Sequence, residues 1–330
     1  MRSTLLTFTA EISPARRAAL DHALAELAKL AKEPPHRPFS EIPTLHFASV
    51  VPFDTSGFSS LLVVECNFDG ELEPFLEAFL AAAEPWLRRL YGCCEGFPVA
   101  PPDRAALAAY LRSHVVRPAA YHVGNVGRSV VRIRRENELR VRLSRWIDER
   151  IAAGDRPQDR EVAYALVDQG RRAAPDLAWV DEPHARQTWS ERVGPWAKLI
   201  VVASLAAMTA IVLAPLTVLL LVAFLVILAR HEARDVPMHP SELDSAHVRR
   251  LAAQEDHIVQ NHLASMTVVK PGWFRRLTLQ VVLWAANLIA RTSTKGTLSG
   301  IPSIHYAHWA VVDRGRRLLF LSNFDCSWEN

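Results

Sequence analysis

Lysine is scarce in this chain: five residues, against 33 arginines, in a length of 330. The arginines do not make the protein basic. Lys and Arg total 38 and Asp and Glu total 35, for a net charge of +3. With no global polyanion signature, nucleic acid is not an expected partner, and the arginine bias reads as GC-rich coding. Cysteine is also rare. Cys66, Cys93, Cys94 and Cys326 contain no C-x-x-C and no His at zinc-finger spacing, and the adjacent Cys93–Cys94 pair suits an ordinary disulfide poorly. A disulfide framework is therefore excluded, and reduced thiols in a reducing compartment are expected. The first residues, MRSTLLTFTAEISP, are too polar and too alternating for a signal peptide. G-x-S-x-G, H-E-x-x-H and papain-type cysteine signatures are all missing, and no pair of acids can be placed across one site.

Present instead is an internal repeat. STLLTFTAEISP (3–14) matches NHLASMTVVKP (261–271), with Pro14 against Pro271 at an offset of 257. IPTLHFASVV (42–51) matches IPSIHYAHWAVV (301–312), with Pro43 against Pro302 and His46 against His305 at an offset of 259. LLVVECNFDG (61–70) matches RLLFLSNFDC (317–326), with Asn67 and Asp69 against Asn323 and Asp325 at an offset of 256. Three ordered anchors at near-constant offset mark two copies of one unit. Between the first two strands of each copy a helix is expected. In the first copy it starts at Ser13-Pro14, with Leu20, Leu24, Leu27 and Leu30 as its stripe; in the second it is 273–291. After the third strand, Leu72, Phe75, Leu76, Phe79, Leu80 and Leu87 mark one face of a further helix. Each copy thus reads as β-α-β-β(-α), a ferredoxin-like order.

The expected fold is α+β: two ferredoxin-like repeats packed face to face as a pseudo-dimeric α/β barrel, with a helical insertion and a membrane helical hairpin. The expected divisions are repeat one at 1–96, the helical insertion and linker at 97–195, the membrane hairpin at 196–230, and repeat two at 231–330. The second repeat stops after its third strand, so a truncation of its closing helix is expected. This arrangement resembles the dimeric α/β-barrel superfamily, which includes dye-decolourising peroxidases, chlorite dismutases and cofactor-free monooxygenases. Segments 255–276 and 301–330 are similar to an uncharacterised group of bacterial proteins. The resemblance to the peroxidases implies a G-x-x-D-G motif, from which residues 66–70, Cys-Asn-Phe-Asp-Gly, depart.

Residues 199–229 carry no charge over 31 positions, which points to membrane insertion. Pro215 favours a break near the middle. The halves 199–213 and 216–229 then form a hairpin, re-entrant or locally thinning the bilayer; a single tilted span and a buried soluble hairpin are the alternatives. Arginines and a lysine flank both ends without asymmetry. The hairpin reading places the bulk of the chain on the cytoplasmic side of the inner membrane. The segment 129–153 reads as an arginine-lined helix. It suits either anionic headgroups or a solvated face paired with its own acids.

Candidate ligand-binding residues are His46, His305, His308, Asn67, Asp69, Asn323 and Asp325. His305 and His308 lie three apart, so a regular strand sends them to opposite faces. Either is a weak candidate to ligate haem iron; no other metal site is expected. Asp69 and Asp325 also read as caps of the next helix. Gly124, Gly127, Arg128 and Ser129 open a helix and form a candidate anion site, or an ordinary turn and cap. Together these features imply a membrane-associated binding or scaffold protein holding a small apolar ligand, a lipid or a protein partner. A haem-dependent peroxidase-like oxidoreductase and a cofactor-free oxygenase are the alternatives.

Overall fold

The computed structural model describes residues 3–31, 39–98, 103–124, 126–154, 168, 179–180, 189–235, 245–246, 248–249, 253, 260–292, 298, 301 and 303–325. Pro302, Cys326 and most of the expected 155–195 tether lie outside them. The described chain is mixed α+β, with two antiparallel four-stranded sheets and seven α-helices.

The first sheet is built from β1 (Ser3–Glu11), β2 (Leu45–Phe53), β3 (Leu61–Asp69) and β4 (Val115–Val116), in the order β2-β3-β1-β4. Side chains alternate along these strands. Leu6, Phe8 and Ala10 join Leu62, Val64, Cys66 and Phe68 on one face, beneath α1 (Arg17–Ala31) and α2 (Leu72–Tyr91). The expected α2 stripe lies there, and Phe75 stacks on Phe68 with ring centroids 3.7 Å apart. Burial of four such rings, Phe8, Phe68, Phe75 and Phe79, stabilises this face by roughly 2–3 kcal/mol each. A third helix, α3 (Arg104–Ser113), capped by the Asp103 side chain on Ala106 N–H, completes this core.

The second sheet contains β5 (Ala120–Val123), β6 (Gln260–Val268), β7 (Ile304–Val312) and β8 (Arg317–Asp325), in the order β5-β7-β8-β6. Residues 115–123, assigned on sequence to neither copy, thus serve both sheets. β4 pairs with β1, β5 pairs with β7, and only Arg117, Pro118 and Ala119 separate them. An extended stretch that switches sheets in this way makes a corner between packed sheets. The fourth strand joins β1 in one sheet but the equivalent of β2 in the other, so the two sheets are not finished alike.

The other faces of the sheets meet. Leu61, Val63, Ala310, Val312, Leu319 and Leu321 form a small shared core. Arg317, 1 % exposed, reaches across to donate to the Ser59 carbonyl at 2.9 Å. Both sheets carry the same irregularity. Pairing slips between Leu45 and Phe47 in one and between Ile304 and Tyr306 in the other, so a β-bulge sits at His46 and at His305.

Among the described residues four more helices follow β5. The arginine-lined helix α4 (Val130–Ala152) buries only Val130. The apolar run forms α5 (Trp189–Val212) and α6 (Ala214–Ala233). Both are long and apolar enough to cross a membrane, and most of their described side chains are exposed. The break falls at Leu213, two residues earlier than expected. Its ψ of 32° leaves the helical range while Leu213 N–H still bonds Thr209 O. Pro215 then occupies the first turn of α6, where it has no hydrogen bond to lose. The last helix, α7 (Trp273–Thr292), lies against β5.

Candidate functional site: a polar cluster between the sheets

At the centre of the inter-sheet face an acid is buried where the pattern calls for an apolar residue. Glu65 lies on β3 and is fully buried. An unpaired carboxylate there would be prohibitively costly, and partners from both sheets surround it. His262 of β6 donates through Nε2 to Glu65 Oε2 at 2.7 Å. Ser49 of β2 donates to the same oxygen at 3.2 Å. Asn67 Nδ2 donates to Oε1 at 2.9 Å, and Asn323 Nδ2 of β8 reaches both oxygens at 3.2 and 3.3 Å. His308 of β7 places Nδ1 3.5 Å from Oε1, and its Nε2 meets Thr7 Oγ1 of β1 at 2.9 Å.

Charge in the cluster follows from these contacts. Burial pushes the Glu65 carboxyl up, but the His262 hydrogen bond and the neighbouring His308 pull it below its ordinary value. Burial holds His308 below its ordinary value, against the pull of Glu65. An ionised Glu65 and a neutral His308 fit together if Nδ1 of His308 carries the proton and Nε2 accepts from Thr7.

A second pair of contacts flanks the cluster. His46 Nε2 donates to Asp69 Oδ1 at 3.0 Å, and both side chains are buried. At the matching place in the other sheet His305 Nε2 lies 2.9 Å from Asp325 Oδ2. Rings interlock across the sheets: His46 sits 5.4 Å from Tyr306, and Phe47 5.8 Å from His305. The bulges explain this, because a bulge re-aims a side chain. They also correct the expectation that His305 and His308 point to opposite faces. His305 touches Phe47 and His308 touches Thr7, both on the first sheet.

Two further expectations change. Asp69 does not cap the helix that follows it; Glu71 occupies that cap position and makes no side-chain bond. Asp69 Oδ2 instead accepts the Val130 backbone N–H at 2.8 Å, at the N-terminus of α4. The candidate anion site at Gly124, Gly127, Arg128 and Ser129 therefore already faces an internal carboxylate. Ser129 caps the helix by accepting Arg132 N–H at 3.2 Å, and Arg128 pairs with Glu136. Glu136 also takes Arg132, so the start of α4 is paired with its own acid. Replacing Asp69 by Asn should lower stability by about 1–3 kcal/mol, since two donors lose a charged acceptor in a buried place; urea unfolding monitored by tryptophan fluorescence measures it.

No family model, curated protein or solved structure matches the chain. Among the described residues no group of three or more His, Cys, Asp and Glu side chains is arranged to hold a metal ion. The haem-ligand candidates also fit poorly, because Nε2 of His305 faces Asp325 and Nε2 of His308 faces Thr7. Chemically, the cluster can clasp two sheets through one shared carboxylate. Sequence reasoning singled out Asn67, Asn323 and His308 but missed Glu65 and His262. An acid in LLVVECNFD, a strand with both faces covered, was the available signal.

Proposed function

We propose that this is a membrane-associated binding or scaffold protein, a pseudo-dimeric α/β barrel standing on one face of a bilayer. The observation that carries the reading is the way α5 and α6 both return to α7. Residues 198–202 of α5 line a cleft with residues 284–291 of α7. At the other end Phe224 and His231 of α6 pack on Phe274, and Arg275 of α7 bonds Asp235 and the His231 carbonyl. The stretch 201–227 would span about 39 Å as a straight helix, while the contacted positions on α7 are only about 20 Å apart. The chain must bend at Leu213 into a V with both feet on α7. Its arms are about 20 Å long, which suits an apex near the midplane of a hydrocarbon core of about 30 Å.

The helix α7 has the character of an interfacial anchor. Trp273, Leu277, Val281, Val282, Trp284 and Ile289 are exposed, while Arg275, Arg276 and Arg291 lie near its ends. Tryptophans at headgroup level and arginines that snorkel match such a position. The repeat supports the barrel half of the reading. Under the offsets, His46 and His305 share a bulge, Asp69 and Asp325 a partner, and Asn67 and Asn323 a carboxylate. What the module binds is then sought on its membrane side, since side chains pack the centre of the inter-sheet face. Both feet sharing a side puts the bulk of the chain on one face of the membrane, which we read as the cytoplasmic one.

Reporter tags inserted after residue 154 and before residue 260 test this. Both should report the same compartment, and deletion of residues 199–229 should move most of the protein from the membrane to the soluble fraction. Tags in opposite compartments would establish a crossing helix and end the V reading.

A further inference from the structure

We propose that the cleft between α5 and α7 binds one anionic phospholipid, a proposal that rests on the membrane reading above. The cleft has a volume of about 390 Å3. Its walls are apolar, with Val202 on α5 and Trp284 and Leu288 on α7. Cations stand on both sides: Lys198 on α5 and Arg291 on α7, the latter held 5.7 Å over the Tyr121 ring. None of the lining residues is acidic. An apolar slot closed by two cations from different helices is complementary to an acyl chain that ends in a phosphate.

A third polar group refines the class. Asn287 lines the same cleft, and its Oδ1 is buried with no hydrogen-bond partner among the described residues. A buried amide oxygen left without a donor is destabilising. A headgroup hydroxyl would satisfy it, whereas a choline headgroup has no donor. The ligand class is therefore an anionic phospholipid with a hydroxyl-bearing head, such as phosphatidylglycerol.

Position agrees with chemistry. Lys198 precedes the uncharged run and Arg291 is in the last turn of α7, so both lie at the foot of the V where headgroups would be. The carbon stem of each can follow the apolar wall while its charge stays at phosphate level.

The test uses the purified full chain and vesicles of phosphatidylcholine with or without phosphatidylglycerol. Wild type should bind both and prefer the mixed vesicles. Lys198→Gln and Arg291→Gln should each lower that preference more than about tenfold, from the loss of a charge-assisted hydrogen bond to the bound phosphate. Arg234→Gln, an equal charge change at the other foot, should not. Val202→Trp fills the slot and leaves every charge in place, and it too should abolish the preference while binding to phosphatidylcholine vesicles persists. A preference unchanged in Val202→Trp, or lowered equally by Arg234→Gln, would reduce the effect to general surface charge and overturn the site. Displacement of the mixed vesicles by inorganic phosphate would assign the cations to a free anion and overturn it as well. Wild type that binds neither vesicle would instead remove the membrane reading on which the site depends.

Discussion

Replacing Glu65 by leucine should destabilise the protein by about 3–5 kcal/mol, the cost of removing one member of a buried charged cluster. Leucine is well chosen for the test. It is what the other copy carries, since the offset of 256 places Leu321 opposite Glu65, and it fits a strand face that already holds Leu61 and Val63. Hydrophobic burial is thus maintained or increased. What is lost is an acceptor shared by His262, Ser49, Asn67 and Asn323. Stability is read from urea unfolding in a mild detergent, with near-ultraviolet circular dichroism to confirm a packed native state. The combined change Glu65→Leu, His262→Leu should recover part of the loss, because it removes the half-buried imidazole together with its acceptor. A loss below about 1 kcal/mol in the single variant would show that the cluster contributes no more than one ordinary hydrogen bond.

Acidification should weaken the protein in two separate windows. His308 and His122 are both buried, and burial is the leading cause that holds each below the ordinary imidazole value. In the unfolded chain both take up a proton near pH 6.5; in the folded one they do so only at lower pH. Below about pH 6.5 the unfolded state therefore binds more protons, and stability falls as pH drops, by at most about 1.4 kcal/mol per pH unit for each histidine. The loss ends once the pH has passed below the folded values. Glu65 acts lower. Its folded value lies beneath the ordinary carboxylate range, so its contribution is complete above about pH 4.3 and is lost as pH falls through that depressed value. Unfolding free energies measured from pH 7.5 to 3.5 should show both steps. His122 offers a clean control, for neither ring nitrogen has a hydrogen-bond partner among the described residues. His122→Leu should therefore roughly halve the upper slope and leave the lower step intact. An unchanged slope in that variant would mean that His122 is protonated in the folded state.

The repeat made one part of the centre legible and concealed another. Matching residues, His46 with His305 and Asn67 with Asn323, stand out in a comparison of the two copies. The carboxylate and the imidazoles of the hub lie where the copies differ: Glu65 against Leu321, His262 against Leu5, His308 against Ser49. A comparison for sameness finds Asn67 and Asn323 but not the acid they share. The bulges were hidden for a different reason. One extra residue in a strand leaves its composition unchanged, yet it changes which face a side chain meets, and so His305 and His308 share a side against the rule of alternation. β4 and β5 were missed because two and four residues carry no periodicity to detect. By contrast Pro215 and the uncharged run were plain, since both act through local backbone chemistry and hydropathy. Only the placement of the break shifted, because proline is accommodated in the first turn of a helix and the irregular residue falls ahead of it.

The short corner between β4 and β5 also fixes an order of events at the ribosome. β1 to β4 are translated together and can close their sheet at once. β5 emerges in the same breath, but its partner β7 lies beyond the whole apolar run. Until β7 has been made, β5 hangs from the finished half as an overhang of unanswered amides and carbonyls. It is then a template waiting for its partner, and the second sheet closes only after the chain beyond the apolar run has been synthesised.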